Sequence, residues 1–222
     1  MRLIRLKGDP IKAFSSFDKL QGEFVVVLQS SICGVFASKG ADHSIVNTNK
    51  LPKNSNIITT TKGIGGKYSL IAYAPNTFTI VGKVIDKTLN RTKLLNKVVD
   101  TFTQLGYLVE IDKNSSGNDL LYENKKVVGM IIEVVGEHTY FALAIQGSVS
   151  EELVGVLSCI DYPQVKLKDK SIMDRVGGLP NLEDRFDELC QSVKDNFHYD
   201  FKDSKDTWQI NNELLLWGEP YE

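Results

Sequence analysis

Apolar positions along the chain recur with two different periods, and the switches between them lay out the elements. In "R-T-K-L-L-N-K-V-V-D-T-F-T-Q-L-G" (91–106), Leu94, Leu95, Val98, Val99, Phe102 and Leu105 form one stripe at helical spacing, closed by Gly106. In "P-N-L-E-D-R-F-D-E-L-C-Q-S-V-K-D-N-F" (180–197), Leu182, Phe186, Leu189, Val193 and Phe197 share a face. A helix is predicted after Asp9-Pro10, an N-cap followed by proline at the first helical position, with Ile11, Phe14, Phe17 and Leu20 inward. Another is predicted over 148–157, opened by the capping-box spacing of Ser148 and Glu151.

Between these lie short runs rich in Val, Ile, Thr, Phe and Tyr, several of them alternating as half-buried strands do. They cover 23–29, 31–37, 56–61, 67–73, 77–85, 107–112, 119–123, 126–135 and 139–146. The strands cluster as hairpins, and helices interrupt them irregularly. That order predicts an α+β fold with a mixed, largely antiparallel sheet flanked by helices, not a doubly wound parallel one.

Composition narrows the class. At 222 residues, with 42% hydrophobic and 24% charged residues, the chain fits one large domain or two small ones. A chain of this length buries roughly 70% of its unfolded surface, so neither metal nor disulfide is needed for stability. The net charge of -2 leaves no footprint for nucleic acid. No run approaches the ~18 apolar residues of a membrane span, and the cationic start lacks the apolar segment of a secretory signal. Three widely spaced cysteines, Cys33, Cys159 and Cys190, without a C-x-x-C pair, make zinc unexpected and suit a reduced, cytoplasmic setting.

Several stretches carry candidate chemistry. In "T-T-T-K-G-I-G-G-K-Y-S" (59–69), Gly63, Gly65 and Gly66 lie between cations Lys62 and Lys67. Such a loop is either a bulged hairpin turn or a concavity of backbone N–H groups for an anion. In "G-N-D-L-L-Y-E-N-K-K-V-V-G-M" (117–130), a strand turns at Glu123-Asn124 and Lys126 leads into an apolar run. Lys126 is either part of a solvated basic turn or a point charge for a carboxylate or phosphate oxygen. Asn118 and Asp119 lie across that hairpin, and Asp119 suits a lysine partner or a nucleotide-bound Mg²⁺. His138 opens the last strand, where a capping role and a ligand contact are both open. Arg175 in "R-V-G-G-L-P" faces the same choice. Cys33, in an apolar run, reads as a buried structural thiol ahead of a nucleophile. Trp208, Ile210, Leu215 and Trp217 close the chain as expected core residues.

Taken in order over 9–197, these pieces resemble the lipoate–protein ligase family, whose catalytic domain is related to that of biotin–protein ligases. "I-I-T-T-T-K-G-I-G-G-K-Y" falls where the family has two arginines, Ser or Thr, and a glycine run. "G-N-D-L-L-Y-E-N-K-K-V-V-G" is similar to its Asn-Asp strand, turn, and lysine ahead of a small residue and glycine, the last being Gly129. "S-I-M-D-R-V-G-G-L" resembles the approach to its last core helix. The resemblance implies one biotin/lipoate ligase-like catalytic domain over 1–222 without an accessory C-terminal domain. It implies lipoate or octanoate activated by ATP with Mg²⁺ to an acyl-adenylate, then transferred to a lysine of a lipoyl carrier domain. Lys126 would contact the acyl carbonyl and α-phosphate. Gly63, Gly65 and Gly66 would wrap the acyl and adenylate groups, with Lys62 and Lys67 adding charge beside them; Asn118 and Asp119 would hold the nucleotide or its Mg²⁺, and Gly129 and His138 would complete the site. The chain departs from the pattern at Thr59, Thr60 and Thr61, which replace the arginines, and at Val128, Met130 and Ile131, which replace small residues. Two other readings follow from the same resemblance: an ATP-independent octanoyltransferase using Cys33, and a binding module for acyl groups or carrier domains.

Overall fold

The computed structural model describes residues 1–10, 20–37, 41–53, 55–59, 70–113, 119–162 and 171–203. The strands are β1 (Arg2–Gly8), β2 (Phe24–Ser30), β3 (Gly34–Ala37), β4 (Asn56–Thr59), β5 (Leu70–Tyr73), β6 (Thr77–Val84), β7 (Glu110–Ile111), β8 (Asp119–Tyr122), β9 (Lys125–Val135), β10 (His138–Gln146) and β11 (Lys202–Asp203). The helices are α1 (Arg91–Gln104), α2 (Glu151–Leu157), α3 (Ile172–Arg175) and α4 (Phe186–Phe197). An eight-stranded sheet runs β11-β1-β2-β6-β10-β9-β8-β7, and a three-stranded sheet runs β4-β3-β5. Among the described strand pairs, β1–β2, β1–β11 and β3–β4 are parallel and the others antiparallel. The architecture is thus α+β with a mixed, largely antiparallel sheet, as the strand clusters predict.

One face of the large sheet is sealed by α1 and α4. Strict alternation along β10 sends Phe141, Leu143 and Ile145 into that core, with Leu94, Val98 and Phe102 of α1 and Leu189, Val193 and Phe197 of α4. Asn90 caps α1, its side chain accepting from the Lys93 amide at 3.0 Å. The helix stops at Gln104, short of the predicted Gly106. Leu105 is the C-cap, and Gly106, at φ +84°, turns the chain away while Leu105 stays buried. A second core joins Val35 and Ala72 of the small sheet, and Ala74 just beyond β5, to Leu153, Val156 and Leu157 of α2.

Other boundaries differ from expectation. The sequence pattern does not predict β1. Leu3 packs into the main core while Ile4 and Leu6 pack on the opposite side, so both faces are covered and no clean alternation marks it. The 107–112 strand shrinks to Glu110–Ile111, because Tyr107 and Val109 turn inward and the Tyr107 hydroxyl donates to the Pro180 carbonyl at 2.7 Å. Ser150, not Ser148, caps α2, accepting from the Leu153 amide at 3.2 Å. The Ser148 hydroxyl instead donates to Glu183 at 2.6 Å. The last helix begins with a tighter turn over Leu182–Arg185. The helix expected after Pro10, the glycine loop and the C-terminal tryptophans lie outside the described residues.

Candidate active site

The site is built on the β8–β9 hairpin. Its two-residue turn, Glu123-Asn124, has both residues at positive φ (51° and 62°), the geometry that matches strand twist in a tight hairpin. Pairing runs Tyr122–Lys125 and Leu121–Lys126, then slips, so that Leu120 faces Val128 and Asp119 faces Gly129. Val127 is the extra residue of a bulge. Without it, strict alternation would place Lys126 on the face of Val128 and Met130, inside the main core. The slip buries both Val127 and Val128 and returns Lys126 to the face of Asp119 and Gly129.

There the Lys126 ammonium meets the Asp119 carboxylate at 2.8 Å, with the lysine side chain 39% and the aspartate 14% exposed. Gly129 makes room for it: a Cβ on Gly129 would stand 3.2 Å from both Lys126 Cε and Nζ. The neighbouring lysine behaves oppositely. Lys125 is exposed, and its Cβ abuts Gly177. The adjacent cations of the sequence are therefore one solvated residue and one half-buried residue held in an ion pair.

The far side of Lys126 is closed by the segment after α3. Ser171 and Asp174 form a reciprocal capping box at the start of that short helix. The chain then lies against the ends of β9 and β10, the Gly177 amide donating to the Lys126 carbonyl at 2.9 Å and the Leu179 amide to the Gln146 carbonyl at 3.1 Å. The approach needs both glycines. A Cβ on Gly177 would meet Lys125 Cβ at 2.6 Å, and one on Gly178 would overlap the Gly147 carbonyl oxygen. Arg175, on the last turn of α3, is adjacent to this contact.

The sheet face carrying Lys126 is floored by small side chains. Asp119 pairs with Gly129, Gly129 with Ala144, and Ala144 with Thr79. Ala142, Ala144 and Gln146 are only partly buried, whereas the intervening Leu143 and Ile145 are fully covered. This face is partly exposed and built of small residues, with one ion pair at its end.

Of the candidates read from sequence, Lys126, Asp119 and Gly129 are brought together. His138 is not beside them. It lies on the same face of β10 but six residues from Ala144, roughly 20 Å at ~3.3 Å per residue, with its ring against Tyr140. Lys62, Gly63, Gly65, Gly66, Lys67 and Asn118 lie outside the described residues. Cys33 is half-buried beside the small-sheet core, where burial, and then the Glu152 carboxylate, push its thiol pKa up, away from a nucleophilic thiolate. Among the described residues no group of three or more His, Cys, Asp or Glu side chains could hold a metal ion, and no helix is long and apolar enough to cross a membrane. Gly178, which the close approach requires, belongs to no motif of its own. Only the glycine pair in "R-V-G-G-L-P" hinted at a close backbone approach.

No protein-family model and no curated protein matches this chain. Solved structures match it in shape. Lipoate-protein ligase A bound with ATP aligns over 100% of this chain and 96% of its own, with TM-score 0.69 and 14% identity. A bipartite lipoate protein ligase from Thermoplasma acidophilum, determined in a study that included its E2 lipoyl domain, gives TM-score 0.69 at 14% identity over 100% and 95% of the two chains. A T. acidophilum protein with bound lipoic acid gives 0.66 at 13% over 96% and 94%. The chain has the fold of lipoate-protein ligases.

Proposed function

We propose that this protein joins lipoate or octanoate to AMP at the expense of ATP and passes the acyl group to a lysine of a lipoyl carrier domain. The observation that carries the reading is the half-buried Lys126–Asp119 pair, set over Gly129 at the end of a partly exposed sheet face. It is supported by the fold shared with proteins seen with ATP, with lipoic acid, or studied together with a lipoyl domain.

The chemistry asks for a held cation. In the first step a carboxylate oxygen attacks the α-phosphorus and the bond to the β-phosphate oxygen breaks, releasing pyrophosphate. Both reactants are anionic, and charge builds on the α-phosphate oxygens. An ammonium has three donors. Asp119 takes one and fixes its direction, and the others serve an oxygen of the acid and one of the α-phosphate. In the second step the carrier amine attacks the acyl carbon, the bond to AMP breaks, and the amine loses a proton. Lys126 then polarises the carbonyl. Mg²⁺, which takes one or two carboxylates beside nucleotide phosphates, would be met by Asp119.

The test is pyrophosphate release with ATP and lipoate or octanoate, for the wild type and Lys126→Met. The variant is expected to keep its melting temperature and lose at least about a hundredfold in rate, as removal of one preorganised donor to a developing oxyanion does. Equal rates in the two proteins, or no release with either acid at millimolar ATP, would end the reading. Acid binding without release would instead mark a binding module. An acyl thioester trapped on Cys33 would mark an ATP-independent transferase, which the raised Cys33 pKa disfavours.

A further inference from the structure

Tyr107 touches both parts of the lysine site from the core side. Its hydroxyl donates to the Pro180 carbonyl at 2.7 Å, just beyond Gly177, whose amide donates to the Lys126 carbonyl. Its ring meets Tyr122 edge-on, with centroids 6.0 Å apart and planes at 86°. Tyr122 in turn pairs with Lys125 next to the turn of the β8–β9 hairpin, one pair before Leu121 and Lys126. One side chain thus joins the hairpin that carries Lys126 to the segment that closes against it. Tyr107 is itself held, with only 6% of it exposed. Its amide donates to the Phe102 carbonyl at 2.9 Å, and its ring lies edge-on to Phe102 with centroids 6.4 Å apart. The Arg185 guanidinium sits 5.7 Å from the ring centre while donating to the Leu105 carbonyl at 2.7 Å. The end of α1 and the tight turn ahead of α4 therefore fix its place.

A phenol at this place does more than fill the core. The amides of Gly177 and Leu179 tie the closing segment to the strand ends of β9 and β10. Two anchors along one edge leave a hinge about the line through them. The Pro180 contact is a third anchor, made by a residue of the main core, and it removes that hinge. We infer that Tyr107 is a positioning residue for Lys126: its hydroxyl and ring lock the hairpin and the closing segment in one relation, and so set where the ammonium stands against the reacting oxygens. This rests on the role given to Lys126 above. Packed side chains and hydrogen bonds carry such a constraint, and a double-mutant cycle measures it. Ser192 provides the internal contrast. Its hydroxyl is also buried and donates to a backbone carbonyl, that of Thr101, at 2.8 Å, but it joins α1 to α4 and not the hairpin to the closing segment.

Pyrophosphate release and amide hydrogen exchange test the assignment in wild type, Tyr107→Phe and Ser192→Ala. Each variant loses one buried hydroxyl donor, and each should melt about 2–4 °C below wild type. Tyr107→Phe keeps the ring contacts. It is expected to lower kcat about tenfold, because a shift of a few tenths of an ångström at the reacting centre suffices, with the KM values for ATP and lipoate within about twofold. Ser192→Ala should keep kcat. Adding Tyr107→Phe to Lys126→Met should lower the residual rate no further. The Gly177 amide should exchange about tenfold faster in Tyr107→Phe than in Ser192→Ala. Unchanged kcat in a folded Tyr107→Phe protein, equal losses in the two variants, or a loss that persists in the Lys126→Met background overturns the positioning role alone. A wild type that releases no pyrophosphate overturns the ATP-dependent reading, and Gly177 exchange then decides on the anchor: faster exchange in Tyr107→Phe upholds it, and equal exchange in the two variants removes it.

Discussion

Replacing Gly129 with alanine separates the site from the fold more sharply than any other single change. The glycine is not in the left-handed region, so its backbone accepts alanine. The new methyl would stand 3.2 Å from Lys126 Cε and Nζ and 3.9 Å from the Asp119 carboxylate. Ordinary contact between such atoms begins near 3.5 Å, so the end of the lysine must move by a few tenths of an ångström. That end is flexible and 39% exposed, and it yields before the sheet does. Removing glycine from a strand interior returns roughly 0.5–1 kcal/mol, which offsets the strain. Stability should therefore change by less than about 1 kcal/mol, or about 2–4 °C in melting temperature for a chain of this size. The 2.8 Å ammonium–carboxylate contact is the one that lengthens. A displacement of about 1 Å at a reacting centre costs about a hundredfold, so a shift of a few tenths should lower kcat for pyrophosphate release about tenfold. In a double-mutant cycle, adding Gly129→Ala to Lys126→Met should change nothing, because the methyl acts through the ammonium. Full activity in a folded Gly129→Ala protein would refute the argument. So would a large loss of stability with activity intact.

Gly178→Ala should show the opposite profile. Its methyl would overlap the Gly147 carbonyl oxygen, a backbone atom that cannot swing away. Forced overpacking costs about 1–3 kcal/mol, so thermal denaturation should fall by roughly 2–12 °C, and an unchanged melting temperature would show that the segment is not pinned there. The protein should also lose stability in alkali. Burial raises the Cys190 thiol from 9.0 to about 12, so the folded state holds a proton that the unfolded chain releases first. This contribution is intact below pH 9 and is lost as the pH rises from about 9 to about 12, by up to about 4 kcal/mol at ~1.36 kcal/mol per unit. Chemical denaturation across that range should show the slope, and Cys190→Ala, less stable at neutral pH, should flatten it.

What the sequence determined by itself was whatever depends on neighbours along the chain. The apolar stripe of α1, the alternation of β10 and the turn at Glu123-Asn124 are local, and each appears within a residue or two of where the pattern puts it. The pairing of Asp119 with Lys126 across a short hairpin was legible for the same reason. Position across the sheet was not. A bulge is a relation between two strands, and nothing within "K-K-V-V-G" announces that Val127 is the extra residue which turns Lys126 out of the core. β1 hid because it pairs in parallel with β2 and packs on both faces, which erases alternation. The contact of Gly177 and Leu179 with two different strands likewise joins residues some fifty and thirty positions apart, beyond any local pattern. His138, equally prominent in sequence, was left at the far end of β10. Periodicity decides which side of an element faces inward, whereas which elements meet, in what register, is decided by packing between residues far apart in the chain.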